Sequence, residues 1–193
     1  MSNAPYQRYD WVKDPQFPEK LFHMLREHNT VNAIKRFRFV DNALDAGCGT
    51  GLITRHVIAN HVVGLDINTW ALARAQEYCP TAKFMCGDIN KLPFNEDQFD
   101  LVICTHTLEH LEKPSEALQE LYRVLRPGGL LVGAVPSNFV LWHYRQRLTE
   151  ADIHEEPFHV NYTRKMLQSL LEPYRYTFEI ASCWLEWQFR IRK

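Results

Sequence analysis

From residue 43 the chain repeats a two-part pattern, a short apolar run followed by an amphipathic stretch, and this alternation constrains the fold more than any other feature. ALDAG precedes ITRHVIA, VVGLD precedes TWALARAQEY, AKFMCGD follows, FDLVICT precedes PSEALQELYRVL, and LLVGAV closes the series. Apolar runs without polar alternation are strands buried on both faces. The pattern therefore predicts an α/β fold, a parallel sheet covered by helices on both sides with right-handed crossovers. After Pro136 the alternation lapses for about 27 residues. TRKMLQSLL then reads as a helix, and YTFEIASC and WQFRIRK as an antiparallel strand pair. Upstream, Leu21, Leu25, Val31 and Ile34 recur at helical spacing with a slip near Asn29, predicting one or two helices behind an aromatic arm.

The 193 residues suffice for one domain with its own core. Hydrophobic residues make up 46%, charged residues 23%, and the formal net charge is -1, which excludes a disordered or strongly nucleic-acid-binding chain. The short basic pieces, KRFRF at 35–39 and RIRK at 190–193, read as solvated surface. No apolar run is long enough to cross a bilayer, and residues 1–17 do not resemble a signal segment, so a cytoplasmic protein is expected. Cys48, Cys79, Cys86, Cys104 and Cys183 form no CxxC pair and are expected as reduced, mostly buried thiols.

The strongest chemical signal is ALDAGCGTG at 43–51, at the end of the first predicted strand. Gly47, Gly49 and Gly51 let backbone N–H groups approach a ligand closely. Their spacing differs from the G-x-G-x-x-G of dinucleotide folds, because Leu52 stands where the third glycine would be. This argues against a dehydrogenase. The second strand ends in Asp66, suited to two ribose hydroxyls, and the third is followed by Asp88, suited to an adenine amino group. Asp45 precedes the loop and suits a ligand ammonium. Each acid alone has an ordinary explanation as a cap or turn residue. Together with the loop they fit a positively charged nucleoside without phosphate.

With ALDAGCGTG, GLDIN, GDINKLPFNEDQFDLV, HTLEHLEKP and RVLRPGGLLV in this order, the chain resembles the class I S-adenosylmethionine-dependent methyltransferases, in their small-molecule, quinone-biosynthesis-like branch. The resemblance is dense from 43 to about 135. It implies a Rossmann-like sandwich, a seven-stranded, mostly parallel sheet with a reversed last strand and helices on both faces. It also implies S-adenosylmethionine as cofactor. Gly47, Cys48 and Gly49 would pass under its methionine moiety, and Asp45 would orient the ammonium. Asp66 would hold the ribose, Ile67 would pack on the adenine, Asp88 and the Ile89 backbone would read the adenine edge, and Thr105 would lie near the methionine end. One domain is expected: an arm and helices over 1–42, a cofactor core over 43–136, a substrate cap over 137–163, and a C-terminal helix and strand pair over 164–193.

One stretch competes with this reading. HTLEH at 106–110 matches the H-x-x-E-H pattern of a zinc-peptidase class, which requires a helix that puts both histidines on one face. Here the stretch begins at a strand end, so no metal is expected. His110 and His106 instead border the methyl-transfer pocket and are candidate bases, with Leu108 and Leu111 as packing positions. His143 and His159, both in an aromatic-rich insertion, are further acid-base or binding candidates. The aromatics there and in the arm suit a flat or apolar small-molecule acceptor with an anionic group. A base is needed only if that acceptor must lose a proton. No N-P-P-Y or D-P-P-Y stretch follows the fourth strand, which argues against a nucleic-acid acceptor. RNA or protein methylation on this fold, or non-catalytic cofactor binding, stand as alternatives.

Overall fold

The structure is a computed structural model that describes residues 19–35, 40–138, 159–181 and 185–193. Seven strands form one sheet in the order β3-β2-β1-β4-β5-β7-β6. They are β1 (Val40–Ala46), β2 (Ala59–Asp66), β3 (Lys83–Cys86), β4 (Phe99–Thr105), β5 (Leu125–Pro136), β6 (Arg175–Ala181) and β7 (Glu186–Arg192). The first five are parallel, and β7 runs antiparallel to both β5 and β6. This is the Rossmann-like sandwich with a reversed last strand that the resemblance implies. The helices are α1 (Glu19–Ile34), α2 (Thr69–Tyr78), α3 (Pro114–Val124) and α4 (Arg164–Leu171). Among the described residues no helix is long and apolar enough to cross a membrane.

Each face of the sheet has its own core. On one, Ala117, Leu118, Leu121 and Val124 of α3 and Leu167 and Leu171 of α4 pack fully buried against Leu44, Val102, Leu131 and Phe189. Burial of each such leucine contributes about 1.5–3 kcal/mol before conformational entropy is set against it. On the other face Ala33 and Ile34 of α1 meet Ala43, Ile103 and Val132. Asn68 caps α2 by accepting from the Trp70 and Ala71 amides at 3.1 and 3.2 Å. Thr163 caps α4 through the Met166 amide at 3.1 Å.

Two expectations need correction, while the described cysteines are free and mostly buried as expected. ITRHVIA is not a helix: Thr54–His56 is one 3₁₀ turn, and β2 starts at Ala59. Its β-branched Ile53, Thr54, Val57 and Ile58 disfavour a helix, and Ile53 is instead buried on the sheet. The helix α1 is single and unbroken, but Leu21 is 52% exposed while His23, Thr30, Ala33 and Ile34 are buried. It therefore presents a mixed face to the sheet, His23 and Thr30 beside Ala33 and Ile34. Cys48, Cys79 and Cys104 are buried thiols, but Cys86 is exposed, and Cys183 lies outside the described residues.

Candidate active site

Three parallel neighbouring strands carry acids at one edge of the sheet. Asp45 is the penultimate residue of β1, Asp66 ends β2, and Asp88 follows β3 by two residues. Crevices of open α/β sheets lie at this carboxyl edge. Gly47 and Gly49 between them have φ of 77° and 52°, a backbone open to glycine and costly for other residues. The amides of Gly47 and Cys48 donate to the Leu65 carbonyl at 2.7 and 3.1 Å. The Gly49 amide donates to Asp66 Oδ2 at 2.8 Å, and Asp66 Oδ1 accepts from the Asn68 amide at 2.9 Å.

One carboxylate thus joins the glycine loop to the start of α2, and its remaining lone pairs can still accept from hydroxyls. A Cβ added at Gly49 would meet nothing within 4 Å. Ile67, the next residue after Asp66, is 75% exposed. Open space over a glycine, an apolar surface and a carboxylate at one rim fit a nucleoside. Asp88, exposed, accepts from the amide and side-chain nitrogen of Asn90 at 2.8 and 3.0 Å. Ile89 is buried and fixes that turn in the core.

Asp45 is 2% exposed, and its Oδ2 accepts from the Thr54 hydroxyl at 2.6 Å. Burial pushes its carboxyl up to about 6, against the pull of that bond and of the Arg26 charge. Burial also raises Asp66, opposed by its bonds from the Asn68 and Gly49 amides. Asp45 is buried and Asp66 half-buried, and a cationic ligand beside them would favour the ionised form of both. Burial pushes the Cys48 thiol well up, which leaves its backbone as the part suited to a ligand. Thr105 is buried, and its carbonyl and hydroxyl oxygens accept from Arg26 Nη2 at 3.1 and 3.3 Å.

Beyond Thr105 the chain turns sharply. His106 has φ of 53°, its amide donates to the Ala134 carbonyl at 2.8 Å, and Leu108–His110 forms a single 3₁₀ turn. HTLEH is therefore not helical, and its histidines do not share a helical face. The His106 ring lies between two carboxylates, with Nε2 2.8 Å from Glu186 Oε2 and Nδ1 3.4 Å from Glu109 Oε1. Glu186 opens β7 and is fully buried. His110 is about 38% exposed, its Nε2 is 3.9 Å from Glu109 Oε1, and its ring centroid is 5.0 Å from that of His159. The His159 segment is held by the Val160 amide on the Glu109 carbonyl at 3.0 Å and the Tyr162 amide on the Pro136 carbonyl at 2.8 Å.

The structure thus gathers His106, His110 and His159 at one wall, while His143 lies outside the described residues. Arg26 and Glu186 escaped the sequence reading. The sequence signal for Arg26 is the polar face of α1, and Glu186 gives none.

The fold and the rim together define an α/β domain built to hold a nucleoside cofactor. Residues 44–133 match the family described as a methyltransferase domain. A malonyl-(acyl-carrier protein) O-methyltransferase of Enterobacter lignolyticus is 36% identical over 143 residues, covering 72% of this chain and 56% of that relative. The chain spans about half the length or less of the first curated relatives it matches. Among solved structures, the magnesium protoporphyrin IX methyltransferase of Synechocystis with bound S-adenosylhomocysteine aligns with a TM-score of 0.73 at 16% identity, covering 97% of this chain and 92% of that one. A protein of Pyrococcus horikoshii aligns with a TM-score of 0.72 at 21% identity over 100% and 99%. Residues 44–133 thus form a methyltransferase domain, and the fold is that of the class I S-adenosylmethionine-dependent methyltransferases.

Proposed function

We propose that this protein moves the methyl group of S-adenosylmethionine to an oxygen, nitrogen or carbon atom of a small molecule. The observation that carries the reading is the bond from the Gly49 amide to Asp66, which forms a cradle at the carboxyl edge beside open space. In this reading the backbone of Gly47, Cys48 and Gly49 passes under the methionine moiety. Asp45 faces the ammonium, Asp66 the ribose, Ile67 and Ile89 the adenine, Asp88 its amino group, and Thr105 the methionine end. The cofactor supplies a methyl group on a sulfonium, displaced in line. The protein holds acceptor and methyl close and aligned, which lowers much of such a barrier.

Residues 43–136 serve as the cofactor core in this division, and 137–163 as the cap that selects the acceptor. Supporting this, His110 and His159 stand together where that segment rejoins the described chain. They suit an anionic group on the acceptor. Thiols left unpaired at Cys48, Cys79, Cys86 and Cys104 agree with a cytoplasmic site of action.

The test is incubation with labelled S-adenosylmethionine and a metabolite extract, followed by mass spectrometry. A small molecule heavier by one methyl group is expected. Label found only in RNA or protein fractions would reverse the choice of acceptor class, and cofactor binding with no label transferred would leave a binding module.

Asp45 adds a pH dependence. Its folded value of about 6 lies above the unfolded 3.8, so the stability it lends is full below 3.8 and lost as pH rises through about 6. A bound cation favours the ionised form. The dissociation constant for S-adenosylmethionine is therefore expected to fall by up to about tenfold per pH unit between pH 5 and 6 and to level off above 7. Calorimetry across that range checks this, and Asp45→Asn should flatten the slope.

A further inference from the structure

The His106 ring is buried between Glu109, in the 3₁₀ turn after β4, and Glu186, at the start of β7, and cofactor binding gives no reason for it. The side chains of His106, Glu109 and Glu186 are 8%, 1% and 0% exposed. Two buried carboxylates on one imidazole are costly to assemble and destabilising to break. His106 also holds a left-handed backbone, which persists only where the surroundings fix it. The Glu186 contact and the amide bond to Ala134 supply that fixing.

The cluster leads outward. Glu109 Oε1 faces His106 Nδ1 at 3.4 Å and His110 Nε2 at 3.9 Å. Burial disfavours the Glu109 carboxylate, yet the bond from His106 and the charges of His110 and His106 outweigh it and hold its carboxyl below the usual range. Glu109 Oε2 is buried without a hydrogen-bond partner in the structure. His110 is the partly exposed member. On the other face of β7 the adjacent Trp187 donates from Nε1 to the Tyr162 carbonyl at 3.0 Å and so anchors the segment that carries His159.

We infer that Glu186 is a positioning residue for methyl transfer: it fixes the His106 ring, the ring fixes the Glu109 carboxylate, and Glu109 holds the His110 imidazole at the pocket wall. This rests on the methyltransferase reading above and deepens it for an acceptor with a proton on oxygen or nitrogen. The acceptor lone pair forms the new bond to the methyl carbon, and the electron pair of the broken carbon–sulfur bond stays on sulfur. The acceptor proton passes to the His110 imidazole. Glu109, 3.9 Å from His110 Nε2, stabilises the imidazolium so formed through its charge.

The test compares Glu186→Gln, which keeps an oxygen for the His106 ring, with Glu186→Leu, which removes oxygen and charge. Calorimetry with S-adenosylhomocysteine and steady-state methyl transfer from labelled S-adenosylmethionine to a fixed metabolite extract are the readouts. Both variants are expected to bind S-adenosylhomocysteine, and to show a KM for S-adenosylmethionine, within about threefold of the wild type. The kcat should fall at least about tenfold in Glu186→Leu and about threefold in Glu186→Gln. His110→Asn should lower kcat as far, and the double variant with Glu186→Leu no further, because both act through one imidazole. If Glu186→Leu does not fold, Glu186→Gln alone and combined with His110→Asn carries the same comparison.

Wild-type kcat in the Glu186 variants, multiplied losses in the double variant, or cofactor affinity falling in step with rate would each overturn the positioning role. A wild-type protein that neither binds S-adenosylhomocysteine nor transfers methyl would remove the functional reading itself, and the positioning role with it.

Discussion

Asp66→Ala is expected to weaken S-adenosylhomocysteine binding at least about a hundredfold, with little change in the thermal midpoint. The substitution removes the acceptor of two backbone amides, Gly49 at 2.8 Å and Asn68 at 2.9 Å. Hydrogen bonds to a charged group contribute roughly 1.5–3 kcal/mol each, and about 1.4 kcal/mol is a factor of ten. Losing two of them loosens the glycine loop and the entry to α2, in addition to any bond the ribose would make. Asp66→Asn, which keeps one oxygen, should fall between. Calorimetry measures both, and unchanged affinity in Asp66→Ala would refute the placement of the ribose. Asp66 is half-buried and burial disfavours its ionised form, so its removal relieves part of that cost in the unliganded protein. That is why stability should change far less than affinity.

Gly47→Ala should do the opposite and damage the fold itself. Gly47 has φ of 77°, and a Cβ there would overlap the Thr107 side chain, lying 2.8 Å even from Thr107 Cβ. The left-handed backbone costs roughly 1–2 kcal/mol with a side chain, and the overlap roughly 1–3 more. For a chain of this size that lowers the thermal midpoint by roughly 5–20 °C. Pairing Gly47→Ala with Thr107→Ala should recover part of the loss, since the overlap is relieved while the backbone cost remains. A scan of the three variants in calorimetry or circular dichroism decides it.

The residues that could be read in advance share a local cause. Asp45, Asp66 and Asp88 each stand at a strand end, so once an apolar run is recognised as a strand the position of its acid follows. The strand order and the reversed β7 came with the family resemblance, because no periodicity says which strands are neighbours. ITRHVIA misled because Ile53, Val57 and Ile58 suggested a helical stripe, while β-branching and the short span before β2 decided otherwise. The face of α1 misled for a different reason. Leu21 and Leu25 mark one side of the helix, but Arg26 is drawn to the Thr105 carbonyl 79 residues away and turns part of the polar side inward. His106 and Glu186 are 80 residues apart, and neither residue type nor spacing pairs them. HTLEH was legible as a cluster at the end of β4, while the role of its first histidine depends on a strand made much later.

The position of β7 also bears on how the chain is made. It is synthesised after β6 yet lies between β5 and β6, and among the described residues β6 pairs with no other strand. A ribosome that has delivered residues up to Ala181 leaves the edge of β5 unpaired and Tyr176, Phe178 and Ile180 of β6 without their strand neighbour. Unpaired edges and apolar side chains of this kind are what aggregation and chaperones both find. At about 5–20 residues per second the interval until Arg192 is added lasts roughly half a second to two seconds. Those seconds are the time in its synthesis when the nascent protein most needs protection.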